Sequence, residues 1–189
     1  RFDLKNNTHD HFLLEINNGR FLVFNDPRRF GFIDYGLYNT INSRKYLTSL
    51  GVDALSTSLN GPYLFFKISK SIVPIKQILL NQTIVAGIGN IYACGILFNA
   101  KISPLKRGKD IKLHDCDKIC KSTKTILKKA INSGGSTLRD FVATDGTLGN
   151  FQNNFKVYNK EGKKISGKIV KKIIQYGRST YFCPFIQKK

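Results

Sequence analysis

Several residue types and patterns are scarce or missing in this 189-residue sequence, and each gap narrows its possible functions. No apolar run approaches the ~20 residues that a membrane-spanning helix requires, and no segment is typical of a signal peptide. Acidic residues are few: Lys+Arg 31 against Asp+Glu 12 gives a formal net charge of +19. So large a basic excess indicates a polyanionic partner, nucleic acid before membrane.

Paired cysteines are also missing. The four cysteines, Cys94, Cys116, Cys120 and Cys183, form no C-x-x-C pair, which favours a reduced, cytoplasmic setting. The spacing of Cys116, Ile119, Thr123, Ile126 and Ala130 is helical, so it predicts core packing rather than metal ligation. His9, His11 and His114 have no metal-ligand spacing with a cysteine either.

The order of predicted elements is sheet, helices, loop and hairpin. HFLLEI and RFLVF flank the turn pair Asn18-Gly19 and predict a β-hairpin, with a third strand at FGFIDYG. Helices are predicted over Ile75–Leu80, Asn90–Asn99 and Lys112–Asn132, the last ended by Gly134-Gly135. A polar loop then precedes two candidate strands, KKISGKIVKKII and STYFCPF.

The first residues, RFDL, are already strand-like, and Met is absent from the whole sequence. We therefore expect a fragment whose sheet has further strands upstream.

The stretch QTIVAGIGNIYA is the most informative about function. Gly87 and Gly89 remove side chains where the backbone approaches something closely, and Asn90 follows where a helix begins. Exposed N–H groups at that end suit a phosphate, to which Lys76 could add a full charge. The alternative is a tight helix–helix turn with Asn90 as its N-cap.

Two further turns carry arginine. In NDPRRFG, Arg28 and Phe30 suit a duplex, with charge for phosphates and an apolar wedge between bases; the alternative is an ordinary turn with solvated arginines. In GRST, Arg178 follows Gly177 at a predicted hairpin turn, where it could bind phosphate or simply be solvated.

In order and spacing these motifs, together with HDH, ISPL, GGSTLRDF, KVY and QYGRSTYFCP, resemble formamidopyrimidine-DNA glycosylase, and more distantly endonuclease VIII. The resemblance implies a helix–two-turn–helix module and repair of oxidised purines by base flipping. It implies DNA contacts by His9, Gly87, Gly89 and Asn90, with Lys76 and Asn90 holding the backbone around the flipped nucleotide. Arg28 and Phe30 would fill the gap in the duplex, and Arg178 would grip phosphate and assist the second elimination. The implied lesion-capping loop comprises Thr144, Asp145, Gly146, Thr147, Leu148 and Gly149.

Some residues that the family uses are not in this sequence. The resemblance implies an N-terminal proline nucleophile, an adjacent glutamate and a lysine, all upstream of Arg1. The family pattern also departs at Gly95, Asn81 and Asn150, where Glu, Asp and Tyr are usual.

The family's zinc finger uses two C-x-x-C pairs, and tetrahedral zinc needs four ligands. Only Cys183 remains here, so no metal or other cofactor is expected. A hairpin packed through Ile165, Ile169, Ile173 and Phe182 is expected instead.

The sequence thus predicts an α+β chain in three parts: residues 1–39 as the end of a β-sandwich, 40–155 as the helix–two-turn–helix domain with its loop, and 156–189 as a zincless finger. We expect a monomer that acts in the bacterial cytoplasm on double-stranded DNA with oxidised or abasic sites, and not at a membrane. Three readings stay open: an enzyme part completed by a separately encoded N-terminal domain, a non-catalytic binder of damaged DNA, and a decaying gene fragment.

Overall fold

The structure, a computed structural model, describes residues 8–137 and 147–188. The chain divides into two compact units, Arg1–Arg44 and Lys45–Lys189. Both helices and small sheets are present, so the predicted α+β class is confirmed.

A β-hairpin dominates the described part of the first unit. Strands β1 (Asp10–Ile16) and β2 (Arg20–Asn25) pair antiparallel, and a short helix, α1 (Tyr38–Ile41), follows. Asn18 and Gly19 have φ values of 71° and 68°, the left-handed conformation that these two residue types adopt most readily. The predicted turn is therefore confirmed.

The strand predicted over residues 30–36 is wrong, because none of these residues is in a strand. A strand needs a neighbour for its backbone hydrogen bonds. Among the described residues of this unit, β1 and β2 pair only with each other, so the apolar residues of this segment have no strand partner.

The second unit begins with helices connected by short turns. Its elements up to residue 132 are α2 (Lys45–Thr48), β3 (Val52–Asp53), α3 (Gly61–Ile68), α4 (Ile75–Leu80), β4 (Val85–Ala86), α5 (Asn90–Asn99) and α6 (Leu113–Asn132). The predicted bounds of α4 and α5 are confirmed, and α6 begins one residue later than expected. At its end the N–H of Gly135 donates to the Ala130 carbonyl at 2.8 Å, as the glycine pair predicts.

The core of this unit lies between α3, α4, α5 and α6. Its most buried apolar side chains include Leu64, Ile68, Ile75, Leu79, Ile96, Leu97 and Ile119. The predicted inner face of α6 is confirmed: Cys116, Ile119, Thr123 and Ala130 are buried, and Ile126 packs against them.

The C-terminal part consists of two small hairpins. Strands β5 (Lys164–Ile165) and β6 (Lys168–Ile169) form one, and β7 (Lys171–Gln175) and β8 (Arg178–Phe182) form the other. The single strand expected over residues 163–174 is wrong, because Ser166 and Gly167 turn the chain with φ values of 48° and 73°.

The apolar residues predicted to stabilise this part are only partly correct. Phe182 is buried, Ile165 packs against a cluster of Cys94, Val157, Val170 and Tyr181, and Ile173 is half-buried. Ile169 is 47% exposed, so it is not a core residue. After the turn at Ser166–Gly167, the buried apolar residue is Val170 instead of Ile169.

Candidate nucleic-acid interface

The loop between α4 and α5 is held in shape by one side chain that the sequence reasoning missed. Gln82 accepts the N–H of Gly87 at 2.8 Å and donates to the Ile88 carbonyl at 3.2 Å. Asn81 accepts from both the N–H and the hydroxyl of Thr83, at 3.0 and 2.8 Å. Because these bonds satisfy the backbone locally, the loop presents a defined edge ahead of α5.

The two glycines of this loop have different physical roles. Gly87 has φ +95°, so it needs glycine for conformational reasons. Gly89 has an ordinary φ of −98° and is the N-cap of α5. A Cβ there would meet no atom within 4 Å. Nothing in the described protein therefore demands glycine at residue 89, and the space beside it is open to a ligand.

Asn90 begins α5, but its side chain does not cap that helix. Its amide donates to the Ser179 carbonyl of β8 at 3.1 Å, whereas the N-cap is Gly89 without a side-chain bond. The alternative of an Asn90 N-cap is thus wrong. Asn90 instead ties the start of α5 to the C-terminal hairpin.

Lys76 on α4 also binds the Ser179 carbonyl. Its Nζ donates to Thr180 Oγ1 at 2.7 Å and to the Ser179 carbonyl at 3.3 Å, and the residue is 0% exposed. Burial lowers the pKa of Lys76, and the positive charge of Arg178 lowers it further. The Lys76 ammonium is thus buried, and it contributes positive charge near Ser179 without being exposed to solvent.

Arg178 is the exposed member of this group. It opens β8 directly after Tyr176 and Gly177, which turn the hairpin with φ values of 48° and 72°. This confirms the predicted position of Arg178 at a hairpin turn. α4, α5 and β8 therefore bring together Lys76, Asn90 and an exposed Arg178 around one carbonyl.

In the first unit, Asp26 organises the arginine-bearing turn, a role that sequence reasoning did not assign. Its carboxylate accepts the N–H of Arg28 at 3.0 Å and of Gly31 at 2.6 Å. The bond from Gly31 is the main cause that lowers the pKa of Asp26. The His11 ring lies 2.9 Å from the Asp26 carbonyl.

The tip of that turn is presented to solvent. Phe30 is 79% exposed, and the Arg28 guanidinium lies 5.0 Å from its ring centroid. His9 lies at the foot of β1, where its carbonyl accepts the N–H of Asp26 at 2.9 Å. A cation stacked on an exposed ring suits contact with bases and phosphates.

Half of the predicted lesion-capping loop can be placed. Thr144, Asp145 and Gly146 lie outside the described residues. The N–H of Gly149 donates to Thr137 Oγ1 at 2.9 Å, and Leu148 is 65% exposed. A Cβ at Gly149 would lie within 2.5 Å of the Gly134 carbonyl oxygen, so this position needs glycine.

Comparison with known proteins identifies the family. Residues 50–142 match the model of the formamidopyrimidine-DNA glycosylase H2TH domain. The chain is 42% identical over 181 residues to the formamidopyrimidine-DNA glycosylase of Zymomonas mobilis, covering 95% of this chain and 67% of that protein. The chain belongs to the formamidopyrimidine-DNA glycosylase family.

Solved structures of family members are similar to this chain. A Lactococcus lactis Fpg variant in complex with Fapy-dG-containing DNA has a TM-score of 0.90 at 34% identity, covering 100% of this chain and 69% of that one. MutM (Fpg) from Thermus thermophilus has a TM-score of 0.84 at 35% identity, covering 97% and 70%. This chain therefore spans about two thirds of the length of such glycosylases.

The donor set of the finger does not fit the zinc ion that this family typically carries. Within residues 8–137 and 147–188, no three His, Cys, Asp or Glu side chains cluster as metal ligands do. Cys183 is buried, and its N–H donates to Gln187 Oε1 at 2.8 Å. Gln187 in turn donates to the Ile102 carbonyl at 2.9 Å. Protein hydrogen bonds thus hold the segment around Cys183.

Across the same described residues, no helix combines the length and apolar character needed to cross a bilayer.

Proposed function

We propose that this chain is the DNA-binding part of a formamidopyrimidine-DNA glycosylase and binds double-stranded DNA at oxidised or abasic sites. The convergence of Asn90 and Lys76 on the Ser179 carbonyl, beside exposed Arg178, carries the proposal. This group lies in a chain of net charge +19. Related structures support it, because Lactococcus lactis Fpg has been solved with abasic-site DNA.

Within this proposal, the exposed groups contact the DNA directly. Arg178 grips a phosphate through charge-assisted bonds, and the open backbone beside Gly87 and Gly89 receives another at the start of α5. Asn90 holds this edge in register, and the buried Lys76 raises the local positive potential. In the first unit, Arg28 and Phe30 fill the gap left by the flipped base, and His9 contacts the backbone. Leu148 belongs to the loop that covers the lesion.

The binding test compares two fluorescent duplexes by anisotropy, one intact and one with a tetrahydrofuran abasic-site analogue. We expect tighter binding to the abasic duplex and a steep loss of affinity with salt. Arg178→Ala should weaken binding by roughly tenfold, the scale of one lost charge-assisted contact. Lys128→Ala removes an exposed charge from the C-terminal third of α6 and is the matched control. Equal affinity for both duplexes would contradict the proposal.

We further propose that these 189 residues do not excise a base on their own. The family's proline nucleophile is not among them, and the arginine that we assign to the second elimination cannot start the reaction alone. Borohydride reduction of the chain with an abasic duplex should trap no covalent complex, because no Schiff base forms. A trapped band would show that an amine of this chain reaches the sugar.

A β-structured partner domain completes the proposal. The hairpin β1–β2 exposes apolar side chains from both of its faces, among them Leu13 (36%), Leu14 (45%) and Leu22 (60%). Such a sheet gains stability by covering those faces. Co-expression with the N-terminal β-sandwich of a family relative should give a one-to-one complex that excises oxidised guanine. A co-expressed pair that stays inactive on an oxidised-guanine duplex would count against an enzymatic role.

We propose that the chain is otherwise monomeric, acts in the bacterial cytoplasm, and comprises the parts 1–39, 40–155 and 156–189. We also propose that the finger functions without zinc, since the bonds of Gln187 and the cluster around Val170 hold it.

A further inference from the structure

A cavity of about 250 Å³ opens on a part of the second unit that the DNA contacts above do not use. It lies between α5, α6 and the segment 151–158. Its lining residues include Tyr92, Gly95, Lys129, Phe151, Phe155 and Lys156.

Gly95 lines this space without a side chain of its own. It stands in the middle of α5, where glycine weakens a helix relative to alanine. A Cβ at residue 95 would meet only Ile126 Cγ2, at 4.0 Å. Neither backbone conformation nor crowding requires glycine here, and any larger side chain would project into the cavity.

Aromatic rings wall the cavity in a connected series. Tyr92 lies 5.8 Å from Phe151, Phe151 lies 5.9 Å from Phe155, and Phe155 lies 5.6 Å from Tyr158, between ring centroids. The Tyr92 hydroxyl is also 3.2 Å from Ser136 Oγ. Such contacts hold ring faces and edges in fixed places, which suits a planar aromatic guest.

The charged side chains that line the cavity are all basic. Lys129 and Lys156 both line it and are exposed, and none of the lining residues is acidic. The described ion pairs involve neither lysine. A guest that carries a negative group would therefore meet two lysines and no opposing carboxylate.

We propose that this cavity binds a small planar aromatic molecule bearing one anionic group, a carboxylate or a phosphate. An apolar cavity of ~150 Å³ holds benzene, so a volume of about 250 Å³ admits a bicyclic ring. The ring lies among Tyr92, Phe151 and Phe155, and its anionic group meets Lys129 and Lys156.

The test is calorimetric titration of the full chain with 2-naphthoate, without DNA. We expect one site with a dissociation constant on the order of 0.1 mM, typical for a ligand of this size. Neutral 2-naphthamide should bind about tenfold more weakly, because it lacks the charge-assisted contact. Naphthyl phosphate, titrated in parallel, tells which anionic group is preferred. Failure of both anions to bind would overturn the proposal.

Variants distinguish binding of naphthoate in this cavity from non-specific attraction of an anion to a basic protein. Gly95→Leu fills the cavity and should abolish naphthoate binding. Gly95→Ala has a similar effect on the helix but adds little volume, so it should still bind naphthoate. The double change Lys129→Gln and Lys156→Gln should weaken naphthoate by tenfold or more, and Lys128→Gln should not.

A thermal melt of each variant shows whether it is folded, and the double lysine change keeps the test valid if Gly95→Leu unfolds. Arg178→Ala should leave naphthoate binding unchanged, so this result is independent of the proposed DNA binding. Naphthoate binding that survives both the filled cavity and the lysine changes would refute the assignment.

Discussion

The bond between Lys76 and Thr180 offers the sharpest test of how the hairpin is held to the helices. Thr180→Val keeps the shape of the side chain and removes the oxygen that accepts from Lys76 Nζ at 2.7 Å. Both residues are 0% exposed, so water cannot replace the lost acceptor. The ammonium would keep only the longer bond to the Ser179 carbonyl, at 3.3 Å.

The expected cost follows from that geometry. A hydrogen bond to a charged group contributes about 1.5–3 kcal/mol, and an unsatisfied buried partner keeps its full desolvation cost. We expect Thr180→Val to lower the free energy of unfolding by about 2 kcal/mol. The corresponding fall in Tm is about 4–8 °C. Urea denaturation and calorimetry measure these quantities.

A double-mutant cycle provides the control. Replacing both partners, as Lys76→Met with Thr180→Val, leaves no buried ammonium without its acceptor and should recover a large part of the loss. Lys128→Met changes an exposed lysine and should have little effect. If Thr180→Val is as stable as the parent chain, or the double variant is no better than the single one, the bond does not hold the hairpin as argued.

The pH dependence gives an independent check on the same lysine. Because burial lowers the pKa of Lys76 below its ordinary value of 10.5, the unfolded chain binds more protons between the two values. In that window the contribution of Lys76 makes stability rise with pH. Lys76→Met should remove this rise, and an unchanged pH profile would show that the lysine stays solvated.

Three further predictions concern the turns and the finger. Gly87→Ala should lower the free energy of unfolding by about 1–2 kcal/mol, because residue 87 has a φ of +95°. Gly89→Ala should have the same stability in urea as the parent chain. It should lose DNA affinity only if a phosphate approaches residue 89. Treatment with a zinc chelator should leave Tm unchanged, and a drop of several degrees would reveal a bound metal. Asp26→Ala should weaken DNA binding by loosening the arginine turn. In the parent chain the contribution of Asp26 to the turn should persist above its ordinary pKa and fade as pH falls through its lowered pKa. An Asp26→Ala variant with parental affinity would show that the turn forms without the carboxylate.

Local signals in the sequence predicted the elements that depend on near neighbours. Pro74 marked the start of α4, and the glycine-bearing turn after it marked the start of α5. The Asn18-Gly19 pair marked the hairpin turn, and Gly134-Gly135 marked the end of α6. Where a segment depended on distant partners, the prediction was wrong. Residues 30–36 have strand-like composition but no described neighbour to pair with. Ile169 was expected in the core, yet it lies in β6 with 47% of its surface exposed.

The features of the candidate site also divide into those predicted by local sequence and those that depend on the tertiary fold. The sequence by itself determined the motifs, their order, the basic charge and the absence of C-x-x-C pairs, because each is a property of residue types at short spacing. Only the tertiary structure decided that Lys76 is buried, that Asn90 bonds to a strand instead of capping its helix, and that a cavity opens at Gly95. The bonds from Lys76 and Asn90 to Ser179 span 103 and 89 positions. Their geometry depends on how helices pack against the hairpin, which no local propensity encodes.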